Sequence, residues 1–421
     1  MAVLGFAADV PLGDNGGMEL VTDAAEVARL AAAIAGAPMV GFDCEFLSQD
    51  RLVPRLCLLQ LVYEAEGVTH VALVDALAAD VRPLAEALAA HRLPIAHAPR
   101  QDLQLLAARF AVTVPQVFDL QIAAAFVGLG DQVGYSRLVA AVLGAELEKD
   151  SQWTDWAARP LSPAQLAYAA GDVQHLLPLY RDLAARLGPR LSWAVAECQR
   201  LAEVAWQAAA LQAEDAWEEV SGAAGLPPRA TSVVMALAAW RLSTARELDK
   251  PLGHVLSDRT LVELARRPPR DVSALRRRCE SATARERVEE LLPVIQAAER
   301  QEAAPRVRRG PLGRRAEAWV PGLLLIVESV AAREQIAPRL LATRADIESL
   351  ARAFDQEGVA GAARHPVMNG WRRELVGVVC AGWLAGELAI VTDSKGGDGV
   401  AGDGAGRRDT VRVERRGPTS S

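Results

Sequence analysis

The chain of 421 residues has little lysine, few aromatic side chains and no closely spaced cysteines. Only three lysines occur, and no Lys or Arg precedes Arg29, so the charged start of a signal peptide is absent. The five cysteines include no Cys-x-x-Cys pair; they are Cys44, Cys57, Cys198, Cys279 and Cys380. This spacing argues against a disulfide framework or a zinc site and fits a reducing compartment.

Long apolar runs are also missing. The longest run in the C-terminal half, over residues 320–327, is too short to span a bilayer and is ended by Glu328. A hydrophobic content of 51% excludes a wholly disordered chain, and the length is enough for two or three domains. We therefore expect a cytoplasmic protein that does not bind membranes.

Charge is divided unevenly along the chain. Residues 1–195 carry 22 acidic and 13 basic side chains, a net charge of −9. Residues 196–421 carry 31 acidic and 33 basic side chains, a net charge of +2. The acidic first part fits a carboxylate-rich metal site, and the arginine clusters of the second part fit a polyanionic partner.

The hydrophobic pattern predicts a sheet domain followed by helices. Three short apolar runs, at 38–46, 56–63 and 69–74, are typical of buried strands. Their connections are too short for crossover helices, which predicts an antiparallel meander. Strands and helices then alternate, and this predicts a mixed sheet with flanking helices. Beyond residue 196 the pattern is helical only.

Two carboxylates lie close together in the first apolar run, in the segment Gly-Phe-Asp-Cys-Glu-Phe at 41–46. Since successive strand side chains alternate faces, Asp43 and Glu45 point the same way, and Cys44 should point away from them. Such a pair is costly to bury unless a cation or a proton neutralises it. Oxygen ligands of this kind suit Mg²⁺. The alternative is an edge strand with a solvated acidic face.

Two further acidic positions are ambiguous when taken alone. Asp102 follows a short apolar strand and begins a helix, where it could simply stabilise the helix N-terminus. Tyr168 and Asp172 are four residues apart, so a helix places them on one face. An exposed helical Tyr and Asp would give the same spacing.

Taken together, these segments resemble the motifs of the DEDD superfamily of 3′→5′ exonucleases. FDCEF, HAPRQDLQLL and YAAGD occur in the order of the three exonuclease motifs, and the last has the form of the tyrosine branch. Within the superfamily the chain is most similar to the ribonuclease D family. The helical part resembles HRDC domains, through Leu-Ala-Ala-Trp-Arg at 237–241 and Asp-Arg-Thr-Leu at 258–261.

The resemblance implies a ribonuclease H-like α/β exonuclease domain, a mixed sheet flanked by helices, followed by two all-α HRDC-type domains. The expected division lists seven segments: an irregular N-terminus over 1–19, the exonuclease domain over 20–195, a helical connector over 196–228, the first HRDC domain over 229–302, an Arg/Pro/Gly linker over 303–314, a second HRDC-like domain over 315–388 and a disordered tail over 389–421.

The resemblance also implies an enzyme that releases nucleoside 5′-monophosphates from RNA 3′ ends, with tRNA precursors as the usual substrate. Four carboxylates would hold two divalent cations, Mg²⁺ or Mn²⁺; they are Asp43, Glu45, Asp102 and Asp172. Tyr168 would orient the attacking water, since a phenol is too weak an acid to be the main base near neutral pH. Nothing in the sequence argues against a monomer.

Arginines of the second part are candidates for RNA binding, because the guanidinium group binds two phosphate oxygens at once. The candidates are Arg276, Arg277, Arg278, Arg308 and Arg309. The alternative is that they are ordinary solvated side chains. Two other functions stay open: a DNA exonuclease with the same chemistry, and a non-catalytic RNA-binding scaffold. A polymerase domain is absent and all four carboxylates are present, which favours the exoribonuclease.

Overall fold

A six-stranded mixed sheet organises the first part of the chain in the computed structural model, which describes residues 18–147, 155–301, 312–392 and 411–415. The strands are β1 (Met18–Val21), β2 (Val40–Leu47), β3 (Arg55–Ala65), β4 (Val68–Asp75), β5 (Pro94–Ala96) and β6 (Phe118–Asp119). Their order across the sheet is β1-β4-β3-β2-β5-β6.

The strand directions confirm the predicted mixed sheet. β2, β3 and β4 pair antiparallel as the expected meander, and β5 continues the sheet in parallel beside β2. β1 adds a parallel edge strand to β4, which the pattern did not indicate. This strand overlaps residues 18 and 19 of the expected irregular N-terminus, and residues 1–17 lie outside the described chain.

Eight α-helices occur in the described part of the chain up to residue 209. They are α1 (Ala24–Gly36), α2 (Arg82–Ala90), α3 (Arg100–Phe110), α4 (Leu120–Phe126), α5 (Tyr135–Leu143), α6 (Pro163–Gln174), α7 (Leu176–Leu187) and α8 (Leu191–Ala209). Leu30 and Ile34 of α1 are fully buried in one core with Phe42 of β2. Each such side chain contributes about 1.5–3 kcal/mol by leaving water.

Two helix starts follow directly from the sequence. Asp23 caps α1 by accepting hydrogen bonds from the backbone N–H groups of Ala25 and Glu26. Ser162 caps α6 in a reciprocal capping box with Gln165, and Pro163 occupies the first helical position. The second cap matters for function, because α6 carries Tyr168 and Asp172.

Helix α8 belongs in part to the core of the sheet domain. Ala202 and Ala205 are buried in the same cluster as Phe42. The Cys198 thiol, also on α8, accepts a hydrogen bond of 3.2 Å from the backbone N–H of Asp119. The connector expected over 196–228 therefore includes residues that complete this core.

The next part of the chain is helical, as expected. Its helices are α9 (Pro228–Leu248), α10 (Leu252–Val255), α11 (Asp258–Arg266), α12 (Val272–Arg278), α13 (Ala282–Glu286) and α14 (Val288–Arg300). Leu237, Leu261 and Leu291 are fully buried in a core of their own. Most of the linker expected over 303–314 lies outside the described residues.

A second helical region follows, with α15 (Arg314–Glu334), α16 (Pro338–Leu341), α17 (Arg344–Ala363), α18 (Gly370–Arg372) and α19 (Val378–Leu384). The disordered tail expected over 389–421 is corrected at two places. Strand β7 (Leu388–Thr392) pairs antiparallel with β8 (Val411–Arg415). The Gly- and Asp-rich composition of the tail predicts disorder. It does not indicate these strands, because each is stabilised by pairing with the other and not by its own residues.

By contacts the chain divides into two compact units. One unit runs to Leu120 and includes Val142–Arg181 and Val195–Pro311, so it holds the sheet and the first helical region. The other includes Gln121–Ala141, Asp182–Ala194 and the residues from Leu312 on. Within the described parts of the chain, none of the helices combines the length and the apolar character that crossing a bilayer requires. All five cysteines are buried as free thiols.

Candidate active site

Three carboxylates meet where strand β2 faces helix α6. Asp43, Glu45 and Asp172 are partly buried, and one ligand oxygen from each lies within 4.8 Å of the others. Asp43 and Glu45 share a face of β2, as strand alternation requires, and α6 packs against that face. The helix thus brings Asp172 to a pair of carboxylates 127 and more residues earlier in the chain.

The backbone of β2 is shaped around this pair. A Cβ atom at Gly41 would lie 2.5 Å from Cγ1 of Val62 and 2.9 Å from Cδ1 of Leu176, so only glycine allows this close approach. The register between β2 and β3 shifts between Glu45 and Phe46. Such a bulge ends regular pairing and re-aims side chains next to it, here directly after the second carboxylate.

Asp102, in the first turn of α3, is buried and close enough to Asp43 and Glu45 to affect their ionisation, but it is not among the three carboxylates whose oxygens lie within 4.8 Å of one another. Its charge contributes to raising the pKa values of Asp43 and Glu45. Cys44 points into the hydrophobic core, as strand alternation predicts. Its thiol nevertheless hydrogen-bonds with the Asp102 carboxyl group. We call Asp43, Glu45, Asp102 and Asp172 the acidic cluster.

Burial and mutual repulsion make the acidic cluster difficult to ionise. Burial first, then the charges of Asp102, Asp172 and Glu45, raise the pKa of Asp43 well above its usual value. Burial and the neighbouring carboxylates raise the pKa of Glu45 to about 8. Burial raises the pKa values of Asp102 and Asp172 to about 7. The cluster therefore favours a bound positive charge.

The donor set fits hard divalent cations. All four side chains of the acidic cluster offer oxygen, and oxygen ligands suit Mg²⁺ and Mn²⁺ rather than softer metals. The raised pKa values of Asp43 and Glu45 also favour a bound cation, because a cation would offset the repulsion that raises them.

Tyr168 is held between the acidic cluster and an indole ring. Its hydroxyl hydrogen-bonds with Asp172, one helical turn along α6. Its ring lies 6.1 Å from the ring of Trp156, measured between centroids. Burial and the charge of Asp172 raise the pKa of Tyr168, so the phenol keeps its proton and acts as a hydrogen-bond donor.

The segment that carries Trp156 is fixed by a partly buried ion pair. Arg159 contacts both carboxylate oxygens of Asp75, through Nε at 2.6 Å and Nη2 at 2.7 Å. It also donates to the backbone carbonyl groups of Cys57 at 2.9 Å and Trp156 at 2.8 Å. Burial alone would raise the pKa of Asp75, but hydrogen bonds from Arg159 and the backbone hold it below its usual value. This network attaches the segment before α6 to strands β3 and β4.

The loop that precedes α3 is fixed by another carboxylate. Asp119, at the end of β6, accepts a hydrogen bond of 2.8 Å from the backbone N–H of Ala98. Ala98 has a φ of 54°, in the left-handed region that alanine rarely adopts. The bond stabilises this turn, and α3 with Asp102 begins two residues later.

Three of the five predicted arginines lie in the described part of the chain. Arg276, Arg277 and Arg278 form the exposed last turn of α12. Arg308 and Arg309 lie outside the described residues. A cleft of about 320 Å³ that the sequence did not indicate is lined by three exposed arginines, Arg51, Arg55 and Arg109. Asp249 also lines it and pairs with Arg51 at 2.9 Å. Only their isolated positions were visible in the sequence, since the fold alone brings them together.

Both parts of the chain are similar to known proteins. A family model described as 3′-5′ exonuclease matches residues 18–188, and one described as HRDC domain matches residues 230–295. A ribonuclease D from Acidiphilium cryptum is 34% identical over 88% of this chain and 94% of its own length. A ribonuclease D from Gluconacetobacter diazotrophicus is also 34% identical, over 89% and 94%.

A solved structure agrees with these relatives. The crystal structure of Escherichia coli RNase D, described as an exoribonuclease involved in structured RNA processing, is similar with a TM-score of 0.78. The two sequences are 27% identical, and the match covers 88% of this chain and 99% of the other. The similarity therefore includes the helical regions as well as the sheet domain.

Proposed function

The chain belongs to the ribonuclease D family and is therefore a 3′→5′ exoribonuclease, and we propose that it hydrolyses RNA at the acidic cluster. The observation that carries this proposal is the convergence of Asp43, Glu45 and Asp172 within 4.8 Å. We propose Asp43, Glu45, Asp102 and Asp172 as the ligands of two divalent cations, either Mg²⁺ or Mn²⁺.

When bound there, two divalent cations supply a water of lowered pKa and positive charge beside the scissile phosphate. The carboxylates hold them and exclude softer metals by their oxygen donors. The Tyr168 hydroxyl, already directed toward Asp172, positions the attacking water. Attack of the water oxygen at phosphorus would break the bond between phosphorus and the 3′ oxygen of the preceding nucleotide. The terminal nucleoside would leave as its 5′-monophosphate, and the 3′ oxygen would take up a proton to become the new 3′-hydroxyl end.

We propose structured RNAs, tRNA precursors among them, as substrates of a monomer in the cytoplasm. The description of the Escherichia coli enzyme and the similarity of the helical regions support this choice. The domain division proposed is the one expected from the sequence with three changes. The exonuclease domain begins at β1, it extends through α8 because Ala202 and Ala205 complete its core, and the tail includes β7 and β8.

The proposal is tested with a 5′-labelled RNA and the matching DNA, each with Mg²⁺ or with EDTA. We expect a ladder of single-nucleotide steps on RNA that EDTA abolishes. The Asp172→Asn protein, purified in parallel, controls for contaminating nucleases. Equal or better degradation of DNA would replace RNA as the substrate, and no degradation of either would remove the catalytic role.

Tyr168→Phe should lower kcat by about 10- to 100-fold and leave KM for RNA within about twofold. The variant keeps the ring beside Trp156 and loses only the hydroxyl that hydrogen-bonds with Asp172. Steady-state turnover of labelled RNA gives kcat and KM, and single-turnover cleavage isolates the chemical step. An unchanged kcat would exclude Tyr168 from positioning the water.

The Arg276→Ala/Arg277→Ala/Arg278→Ala triple variant should bind RNA about tenfold more weakly at 50 mM salt. Three lost phosphate contacts lower the slope of log K against log salt by about 2 for a single strand. Fluorescence anisotropy with labelled RNA measures both quantities. A variant lacking three exposed arginines of other helices, Arg259, Arg333 and Arg344, is the control of equal charge. Equal losses in the two variants would show that only net charge matters.

A further inference from the structure

A glutamine side chain is buried without hydrogen bonds beside the acidic cluster. Gln60 is 0% exposed. Among the described residues, neither its Nε2 nor its Oε1 atom has a hydrogen-bond partner. Leaving a buried amide unpaired costs about 1–3 kcal/mol per group in general, so native proteins rarely keep one without a reason.

The register of the sheet shows what Gln60 faces. Gln60 on β3 is the direct antiparallel partner of Asp43 on β2. Directly opposed residues share a face of the sheet, with Cβ atoms about 5 Å apart. Gln60 therefore lies on the face that carries Asp43 and Glu45, beneath α6, which packs against β2, β3 and β4.

The residue opposite Gln60 on β4 and its neighbours along β3 on that face are apolar. Its partner on β4 is Leu73, and the residues two positions away along β3 are Leu58 and Val62. All three are buried at 2% exposure or less. Of the two residues directly opposite Gln60, Asp43 is polar and Leu73 is not; Glu45 and Asp75 lie on the same face but diagonally, two positions along β2 and β4. The Asp43 carboxylate is therefore the nearest polar group across the strands.

We propose that Gln60 is a positioning residue for metal binding: its Nε2 group donates a hydrogen bond to the Asp43 carboxylate when that carboxylate holds a cation. The proposal rests on the proposed function, since it requires a metal at the acidic cluster. Gln60 fixes the rotation of the Asp43 carboxyl group and leaves its second oxygen for the cation. Partners of this kind typically change metal affinity by about 10- to 100-fold.

The proposal predicts two effects of opposite sign in one variant. Gln60→Met has nearly the same shape and removes the unpaired amide, so the metal-free protein should melt about 3 °C higher. The same variant should bind Mn²⁺ about tenfold more weakly. A residue that serves packing alone would not raise stability and lower metal affinity together.

The chain offers a matched control for the stability effect. Gln165 is also buried, but its amide accepts from the backbone N–H of Ser162 and donates to the backbone carbonyl of Asp155. Gln165→Met removes both hydrogen bonds, so it should lower Tm by about 3 °C or more. The comparison distinguishes a hydrogen-bonded buried amide from an unpaired one under the same substitution to Met.

The experiment uses the full chain. Thermal unfolding in EDTA gives the stability of wild type, Gln60→Met and Gln165→Met, and calorimetric titration with MnCl₂ gives the metal affinity. Asp43→Asn in the same titration tests the metal site itself: loss of Mn²⁺ binding supports the proposed function independently of Gln60. A lower Tm for Gln60→Met, or an unchanged Mn²⁺ affinity, would overturn the role of Gln60. A wild-type protein that does not bind Mn²⁺ would overturn both proposals.

Gln60→Leu is the second variant if Gln60→Met misfolds. It is shorter and also apolar, so its Mn²⁺ affinity should fall to the same extent while its Tm reports the small cavity as well. Gln60→Asn retains an amide but shortens its reach. Its Mn²⁺ affinity should stay below that of the wild type, because the amide lies farther from Asp43. Its Tm should stay below that of Gln60→Met, because the amide is still buried.

Discussion

Asp43→Asn will abolish RNA hydrolysis and at the same time raise the melting temperature of the metal-free protein. The activity falls by roughly 1,000-fold or more, since losing one ligand of a two-metal site removes several kcal/mol of transition-state stabilisation. The stability rises because burial and three neighbouring carboxylates oppose the negative charge of Asp43. Because this pKa is raised in the folded protein, the destabilisation is present above the ordinary aspartate pKa of about 4, so the variant should melt at a higher temperature than the wild type at pH 8.

Thermal unfolding in EDTA and in MnCl₂ measures this effect. The wild type should gain stability with Mn²⁺ and the variant should not, so the order of the two melting temperatures reverses when metal is added. Glu299→Gln removes an exposed carboxylate from α14 and is the control, with an expected shift below about 1 °C. An Asp43→Asn protein that is less stable than wild type without metal would contradict the repulsion described here.

Arg159→Met will strongly destabilise the sheet domain. The Arg159 side chain is 27% exposed, and it pairs with an Asp75 side chain that is 8% exposed. Removing one member of such a pair leaves the other partly buried and uncompensated, which costs about 3 kcal/mol after allowance for solvent. We expect Tm to fall by about 6–10 °C and kcat to fall about tenfold, since Trp156 and Tyr168 lose their support.

Arg181→Met is the matched control for this prediction. Arg181 pairs with Glu64, but its side chain is 50% exposed, so the expected loss is below about 1 kcal/mol. The Arg159 pair needs an ionised Asp75, whose pKa is lowered in the folded protein. Its contribution is therefore complete above the ordinary aspartate pKa of about 4 and is lost as pH falls below that value. The difference in Tm between wild type and Arg159→Met should shrink in the same range. Equal effects of the two substitutions at pH 7 would show that burial does not distinguish the pairs.

The sequence predicts those parts of the fold that depend on neighbouring residues. The meander of β2, β3 and β4 follows from three apolar runs with short connections, and the caps Asp23 and Ser162 follow from local hydrogen bonding. The acidic cluster is partly predictable for the same reason. Strand alternation places Asp43 with Glu45, and helical spacing places Tyr168 with Asp172.

The rest depends on contacts between residues distant in sequence. β1 is short, and its Leu20 is 43% exposed, so only parallel pairing with β4 makes it a strand. The ion pair of Arg159 and Asp75 joins residues 84 positions apart, and no local pattern marks it. The register that opposes Gln60 to Asp43 is similar: the sequence shows a glutamine in an apolar run, but not its neighbour across the strands.

The position of α8 has a consequence for how this nuclease can be divided or recombined. The family model for the exonuclease ends at residue 188, yet Ala202 and Ala205 close the hydrophobic core and Cys198 holds the end of β6. A fragment cut at residue 195 would expose apolar surface that the intact protein buries, and aggregation is the expected result. A fusion or domain exchange should therefore transfer the exonuclease domain together with α8, since the domain keeps a complete core only with that helix.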